Sequence, residues 1–125
     1  MNPEPKTRLV AVVDDDESVR GAIHGALASV GLQARLFGSA EDFLDSELHS
    51  DIACLISDIE LPGMSGLELQ IKLAESGWRV PIIFITAFGD PMMRAQAMRA
   101  GATEFLEKPF DGDFLLDTVR AVLGT

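Results

Sequence analysis

The chain has 125 residues, a hydrophobic fraction of 47% and a formal net charge of −10 at pH 7. Its length predicts a single domain. The ten Lys and Arg residues are scattered, which argues against direct nucleic-acid binding, because a phosphate backbone requires a basic patch. No apolar run reaches the ~18 residues of a membrane span, and the first five residues lack the apolar core of a signal peptide. We therefore expect a cytoplasmic protein that makes no membrane contact.

Short apolar runs alternate with helical patterns five times along the chain. Residues 9–13, 33–37, 53–58, 81–85 and 103–106 predict β-strands. Apolar residues at helical spacing follow each strand. Ser39 is expected to cap a helix, and Pro91 to occupy a first helical turn. Gly31 is expected to have positive φ after a helix end. The single cysteine, Cys54, lies in the third run and is expected to be buried rather than reactive. Five strand–helix units predict an α/β fold, a doubly wound sheet with helices on both faces.

Polar residues close four of the five predicted strands. Right-handed crossovers place all carboxyl ends of parallel strands at one edge of the sheet. That edge should therefore hold Asp14 and Asp15 after the first strand, Asp58 after the third, Thr86 after the fourth and Lys108 after the fifth.

Three carboxylates in one pocket require a compensating cation. At an assumed ~5 Å and an effective dielectric of ~20, each pair repels by about 3 kcal/mol. Oxygen ligands without His or Cys suit Mg²⁺ (or Mn²⁺) rather than Zn²⁺. With the Lys108 ammonium and the Thr86 hydroxyl, such a pocket would hold a tetrahedral anion while Asp58 attacks it. The residues predict a phosphoryl-acceptor site.

Four motifs resemble the receiver domain of two-component response regulators. They are VDDDES at residues 13–18, SDIELPGMSG at 57–66, ITA at 85–87 and EKPF at 107–110. The resemblance runs from about residue 9 to residue 123, and residues 86–90 and 104–110 are most similar to the FixJ-like branch. It implies a single flavodoxin-like (βα)5 domain with strand order 2-1-3-4-5. Residues 1–7 would form an N-terminal tail, and residues 8–125 the receiver domain.

The resemblance implies a role for each residue at the sheet edge. Asp58 would accept a phosphoryl group from a phosphohistidine on a sensor histidine kinase. Asp15 and Asp58 would bind Mg²⁺ through their side chains, Asp14 through water and Glu60 through its backbone carbonyl. Lys108 would bind a phosphoryl oxygen. Such a domain is not an enzyme with a turned-over substrate; it catalyses phosphoryl transfer to its own aspartate and the later loss of that group.

The resemblance also implies a switch. Thr86 would move to bind the phosphoryl group, and Phe105 would swing inward into the vacated space. This movement would alter the surface formed by the fourth helix, fifth strand and fifth helix, and would favour a homodimer through the fourth helix and fifth strand. The output would be transcription, with DNA bound only by an output domain outside this chain. The Lys108–Pro109 bond is expected to be cis.

Two departures from the common family pattern concern the lifetime of the phosphoryl group. Glu60 and Phe88 are expected to flank the path of a hydrolytic water. A carboxylate and a bulky ring in these places predict slow hydrolysis, on a scale longer than minutes.

Two other functions compete with this interpretation. Asp58-Ile59-Glu60 superficially resembles the D-x-D pair of haloacid-dehalogenase-type phosphatases, although the nucleophile of that class follows the first strand. A pseudo-receiver, which docks partners without phosphorylation, is the second alternative.

The individual residues also fit ordinary structural roles. Asp14, Asp15 and Asp16 fit the acidic first turn of a helix, with Asp16 as a cap. Thr86 could be a plain strand-end hydroxyl, Lys108 an exposed charge and Phe105 part of the core. The methionines at 92, 93 and 98 are expected to pack rather than to form a partner surface. His24 and His49 belong to no metal set or nucleophile–base pair.

Overall fold

The computed structural model describes residues 9–46, 51–87 and 89–124. Five strands alternate with five helices. The strands are β1 (Leu9–Val13), β2 (Gln33–Phe37), β3 (Ile52–Asp58), β4 (Ile82–Thr86) and β5 (Glu104–Glu107). The helices are α1 (Glu17–Ala28), α2 (Ala40–Asp45), α3 (Gly66–Glu75), α4 (Pro91–Arg99) and α5 (Gly112–Leu123). Each predicted strand is confirmed to within one residue at either end.

The five strands form one parallel sheet in the order β2-β1-β3-β4-β5, as expected. β1 and β4 are buried along their whole length, and β3 nearly so, because helices cover both faces of the sheet. β2 lies at an edge, and its side chains are mostly exposed. The central strands β1 and β3 are neighbours, so the residues at their carboxyl ends lie side by side.

Alternate residues along each strand enter two separate hydrophobic clusters. One contains Leu55 and Phe84 and packs against α2, α3 and α4, whereas the other contains Ile56 and Ile83 and packs against α1 and α5. This division follows from the two-residue period of a strand. Both clusters include β1 and β3, which are therefore held firmly on both faces.

The helix ends follow the residue types at their boundaries. The Asp16 side chain caps α1, Ser39 caps α2, and Pro91 occupies the first turn of α4, as predicted. Gly31 has a φ of 80°, which confirms the expected left-handed residue after α1. A reciprocal capping box is present at Ser65, at the start of α3.

The packing prediction for the α4 methionines is wrong for two of the three. Met92 is 80% exposed and Met98 is 39% exposed, while Met93 packs against the core. The reason is that α4 buries a single residue, Ala97, and turns most of its surface to solvent. His24 is exposed, and His49 lies outside the described residues. Within the described ranges, no helix has the length and apolarity to cross a bilayer.

The buried position of Cys54 gives a direct test of the fold. Its side chain is inaccessible, and burial raises the pKa of the thiol to about 12. We therefore expect no reaction with a thiol reagent at pH 8 in the folded protein, because thiolate is the reactive form. After unfolding in urea, one thiol per chain should react within the mixing time. Rapid labelling without urea would contradict the β3 placement.

Candidate functional site

Neighbouring strands bring the predicted site residues to one edge of the sheet. Asp58 is the last residue of β3, Asp14 follows β1, and Thr86 is the last residue of β4. Lys108 follows β5, and its backbone N–H donates to the Thr86 carbonyl at 2.7 Å. The Lys108–Pro109 peptide is cis, as expected. The sheet topology alone thus gathers residues that are up to 94 positions apart in the sequence.

Asp14, Asp15 and Asp58 form a compact acidic cluster. Each contributes a carboxylate oxygen, and these oxygens lie within 4.8 Å of one another. Asp14 is fully buried and Asp58 is 5% exposed, whereas Asp15 faces solvent at the mouth of the cluster. Lys108 Nζ lies 2.9 Å from Asp14 Oδ2 and 2.9 Å from Asp58 Oδ2. One ammonium therefore bridges the two buried carboxylates.

Every polar group of Asp14 has a partner. Its backbone N–H donates to the Phe37 carbonyl at 3.1 Å, and its carbonyl oxygen accepts a 2.6 Å hydrogen bond from Arg20 Nη1. Its Oδ1 accepts from the Asp16 N–H at 2.9 Å, and its Oδ2 from Lys108. A buried carboxylate requires such compensation, because an unpaired charge in the interior is strongly unfavourable.

The loop after Asp58 is fixed just as closely. Asp58 Oδ1 accepts a hydrogen bond from the Glu60 N–H at 3.0 Å. Gly66 approaches the Asp58 backbone carbonyl so closely that any Cβ there would collide with it, so glycine is required at the start of α3. The Glu41 carboxylate of α2 accepts a hydrogen bond from the Met64 N–H at 3.1 Å and braces the outer part of this loop.

The charges of the cluster perturb one another. Burial raises the pKa of Asp14, the negative charge of Asp58 raises it further, and hydrogen bonds from the Asp16 N–H and Lys108 act in the opposite direction. For Lys108, burial lowers the pKa, but the hydrogen bonds and attraction to Asp58 and Asp14 outweigh it, and the net shift is upward. Lys108 is therefore an ammonium at neutral pH and is the fixed cation of the site.

The donor set fits a hard divalent cation. The three carboxylates offer oxygen only, and they hold three negative charges against the single positive charge of Lys108. Mg²⁺ prefers such ligands and retains several waters, which suits a pocket with one exposed carboxylate at its mouth. The ordinary alternative, an acidic first helical turn, accounts for Asp16, which caps α1, but leaves the burial of Asp14 unexplained.

The two predicted switch residues lie on neighbouring strands, with Thr86 at the end of β4 and Phe105 on β5 opposite Phe84. Thr86 is fully buried, and Phe105 is 3% exposed, so its ring points inward. The Arg94 guanidinium of α4 lies 5.7 Å from the centre of the Phe105 ring. The Glu60 side chain is exposed, and Phe88 lies outside the described residues.

Residues 10–120 match the family model of the response regulator receiver domain. The chain belongs to this family. It is 46% identical over 114 residues to the transcriptional regulatory protein TdiR of Thauera aromatica, covering 91% of this chain and 50% of TdiR. It is 41% identical over 120 residues to the transcriptional regulatory protein FixJ of Azorhizobium caulinodans, covering 96% of this chain and 57% of FixJ.

Solved structures give the same result. The response regulator StyR superposes with a TM-score of 0.88 at 44% identity, over 94% of this chain and 60% of StyR. The crystal structure of FixJ-N has a TM-score of 0.81 at 35% identity, over 92% of each chain. The predicted receiver family and flavodoxin-like fold are confirmed. The chain spans about half the length of the curated relatives that it matches.

Sequence reasoning missed two residues that brace the site, Arg20 and Glu41. Arg20 binds the Asp14 carbonyl, and Glu41 binds the loop that follows Asp58. Arg20 lies six residues after Asp14, so its position one turn into α1 was a usable signal. Glu41 is 23 residues from its partner, and no local pattern indicates that contact.

The Lys108 bridge can be tested through stability. Lys108→Met should lower the free energy of unfolding by about 2–4 kcal/mol without divalent cations, because two buried carboxylates lose their counter-charge. Urea unfolding measures this value. Lys72→Met, which removes an exposed lysine of α3, is the matched control and should change little. Adding Asp58→Asn to Lys108→Met should restore part of the loss. Equal stability of Lys108→Met and the wild type would contradict the bridging role.

Proposed function

We propose that this receiver domain accepts a phosphoryl group on Asp58 from a phosphohistidine of a sensor histidine kinase. The proposal depends on one observation, the joint contact of Lys108 Nζ with Asp14 and Asp58 within the acidic cluster. Phosphoryl transfer to a carboxylate requires a nucleophilic carboxylate oxygen and fixed positive charge around the transferred oxygens. Asp58 and Lys108 are supported in these two roles by their positions.

The transfer would proceed with an exchange of contacts at Asp58. A carboxylate oxygen of Asp58 attacks phosphorus, the bond from phosphorus to the donor imidazole nitrogen breaks, and the electron pair remains on that nitrogen. Asp58 Oδ1 is bound by the Glu60 N–H and Oδ2 by Lys108. The Lys108 ammonium moves from the carboxylate to a phosphoryl oxygen and offsets the incoming charge. The Thr86 hydroxyl binds a second phosphoryl oxygen.

We place Mg²⁺ (or Mn²⁺) among the acidic residues of the same pocket. Asp15 and Asp58 would bind it through their side chains, Glu60 through its backbone carbonyl and Asp14 through water. A divalent cation held there would offset the repulsion between the carboxylates and the charge of the phosphoryl oxygens. The fit rests on the all-oxygen donor set and on the excess of negative charge described above.

The architecture favours this proposal over the two alternatives. Asp58 ends β3, whereas the nucleophile of haloacid-dehalogenase-type phosphatases follows the first strand. A pseudo-receiver has no need for a buried carboxylate bridged to another by lysine. We therefore expect self-catalysed phosphoryl transfer and loss, with no steady turnover of a generic phosphate ester.

Intact-protein mass spectrometry tests the acceptor residue. Incubation with Mg²⁺ and acetyl phosphate should add one phosphoryl group to the wild type, and EDTA should prevent it, because the uncompensated carboxylates repel the anionic donor. Asp58→Asn should gain nothing. Asp51→Asn, at an exposed acid seven residues earlier, should be labelled like the wild type. Labelling of Asp58→Asn, or labelling unaffected by EDTA, would contradict the proposed site.

We propose that phosphorylation acts through Thr86 and Phe105 on the surface formed by α4, β5 and α5. The parent protein would regulate transcription through a DNA-binding output domain outside this chain, as the names of TdiR and FixJ suggest by analogy. Residues 8–125 would form the receiver domain, and residues 1–7 an N-terminal tail. We place the protein in the cytoplasm, where a sensor kinase presents its phosphohistidine.

We propose a phosphorylation-dependent homodimer through α4 and β5. β5 is an edge strand with two acidic residues, Glu104 and Glu107, whereas α4 carries Arg94 and Arg99. A twofold axis that sets α4 of one copy against β5 of the other would pair these opposite charges. Met92, which is 80% exposed on α4, would supply apolar area at this interface.

Light scattering tests this dimer. With Mg²⁺ and the phosphoryl mimic beryllofluoride, the wild type should change from the mass of a monomer to that of a dimer. Met92→Asp should remain monomeric, because a desolvated carboxylate opposes the interface. Ile71→Asp, at a 49% exposed apolar residue of α3, should dimerise like the wild type. A wild type that is monomeric both with and without beryllofluoride would contradict the proposed dimer.

A further inference from the structure

Arg20 reaches from α1 back to the loop that carries the first two acids. Its Nη1 donates a 2.6 Å hydrogen bond to the Asp14 carbonyl oxygen, and the side chain is half-buried. The same nitrogen would lie 3.6 Å from a Cβ built on Gly38, so the guanidinium also lies against the loop between β2 and α2. A charge-assisted hydrogen bond of this length is among the stronger kinds in proteins.

The bonded oxygen belongs to the peptide that joins Asp14 to Asp15. On one side of this peptide, the Asp14 backbone is fixed by its hydrogen bond to Phe37. On the other side, Asp15 is exposed, and its carboxylate must still face Asp58. Rotation of the peptide would carry the Asp15 carboxylate away from the cluster. Arg20 opposes that rotation.

We propose that Arg20 is a positioning residue of the cation site. By holding the Asp14 carbonyl, it fixes the Asp14–Asp15 peptide, and thereby keeps the Asp15 carboxylate directed at Asp58. The inference rests on the Mg²⁺ site proposed above. The positive charge of Arg20 acts in the opposite direction, because a guanidinium close to a cation site repels the cation and weakens its binding.

The two effects of Arg20 have opposite signs, so Mg²⁺ affinity distinguishes them. Removing the positive charge alone should strengthen Mg²⁺ binding. Removing the positioning contact should weaken it, and we expect the Kd of Arg20→Met to rise about three- to tenfold, the range for loss of one net hydrogen bond. Met is a good helix former of similar stem length, which preserves α1.

Isothermal titration calorimetry with MgCl₂ alone measures this Kd. Arg120→Met is the matched control, because it removes the same charge from an exposed position in the last turn of α5. It should leave the Kd unchanged or slightly lower. Urea unfolding of Arg20→Met gives its folded fraction, and the apparent Kd is corrected for it, because a reversibly unfolded fraction raises the apparent Kd by the inverse of the folded fraction. A Kd for Arg20→Met equal to or below that of Arg120→Met would overturn the inference.

A conservative variant and a kinetic measurement extend the test. Arg20→Lys retains a charged donor on a shorter side chain, so its Kd should fall between those of the wild type and Arg20→Met. The Mg²⁺ concentration for half-maximal phosphorylation by acetyl phosphate should rise from the wild type to Arg20→Lys to Arg20→Met. At saturating Mg²⁺, the phosphorylation rates of both variants should return to the wild-type rate. A lower saturating rate with an unchanged half-maximal concentration would indicate a purely structural role and overturn the inference. Absence of Mg²⁺ binding by the wild type would overturn the proposed function itself.

Discussion

The repulsion between Asp14, Asp15 and Asp58 is the constraint on which the rest of the site depends. Burial raises the pKa of Asp14, which means that the folded chain holds its charged form at a cost in free energy. Lys108 supplies one positive charge to two buried carboxylates, and the cluster retains an excess of negative charge. Any added cation stabilises a cluster with excess negative charge. The stabilisation is greatest when the carboxylate oxygens are already held in place. The excess negative charge favours the proposed metal binding, and a metal held there would offset the repulsion between the carboxylates and an anionic phosphoryl group.

Oxygens that repel one another stay in place only on a rigid support. Asp14 and Asp58 lie at the ends of β1 and β3, which are neighbouring strands packed on both faces by the hydrophobic clusters. The loops that follow them are held by backbone contacts, with Glu60 on Asp58 and Asp16 on Asp14. Side chains from helices complete the support, since α1 and α2 each reach a loop through a charged group. The sheet sets the distances between the carboxylates, and the helices set the directions of the loops that carry them.

This division explains how much of the molecule could be predicted from its sequence. Strand positions, the order of the sheet and the meeting of Asp14, Asp58 and Lys108 follow from apolar runs, from the handedness of crossovers and from the resemblance of the motifs. The Arg20 and Glu41 contacts were missed because they join residues whose types are ordinary on a helix surface, and their importance comes from where the helices lie. The α4 methionines were misjudged for a related reason. Helical spacing of apolar residues predicts a buried face, but Met92 lies on the side of α4 that the sheet leaves uncovered.

The weak attachment of α4 would allow a phosphoryl group at Asp58 to influence a distant surface. α4 buries Ala97 alone, and its carbonyl accepts a 3.0 Å hydrogen bond from Gln70 of α3, while Arg94 lies over the Phe105 ring. An element with so little buried area has a small free-energy difference between alternative positions, and a local change of one or two contacts can shift it. β1, β3 and β4 lack this freedom, because both faces of each strand are packed. The phosphoryl group proposed for Asp58 would therefore leave β1, β3 and β4 in place. It would act through Thr86, at the end of β4, on α4 and β5, where Phe105 lies and where the proposed dimer would form.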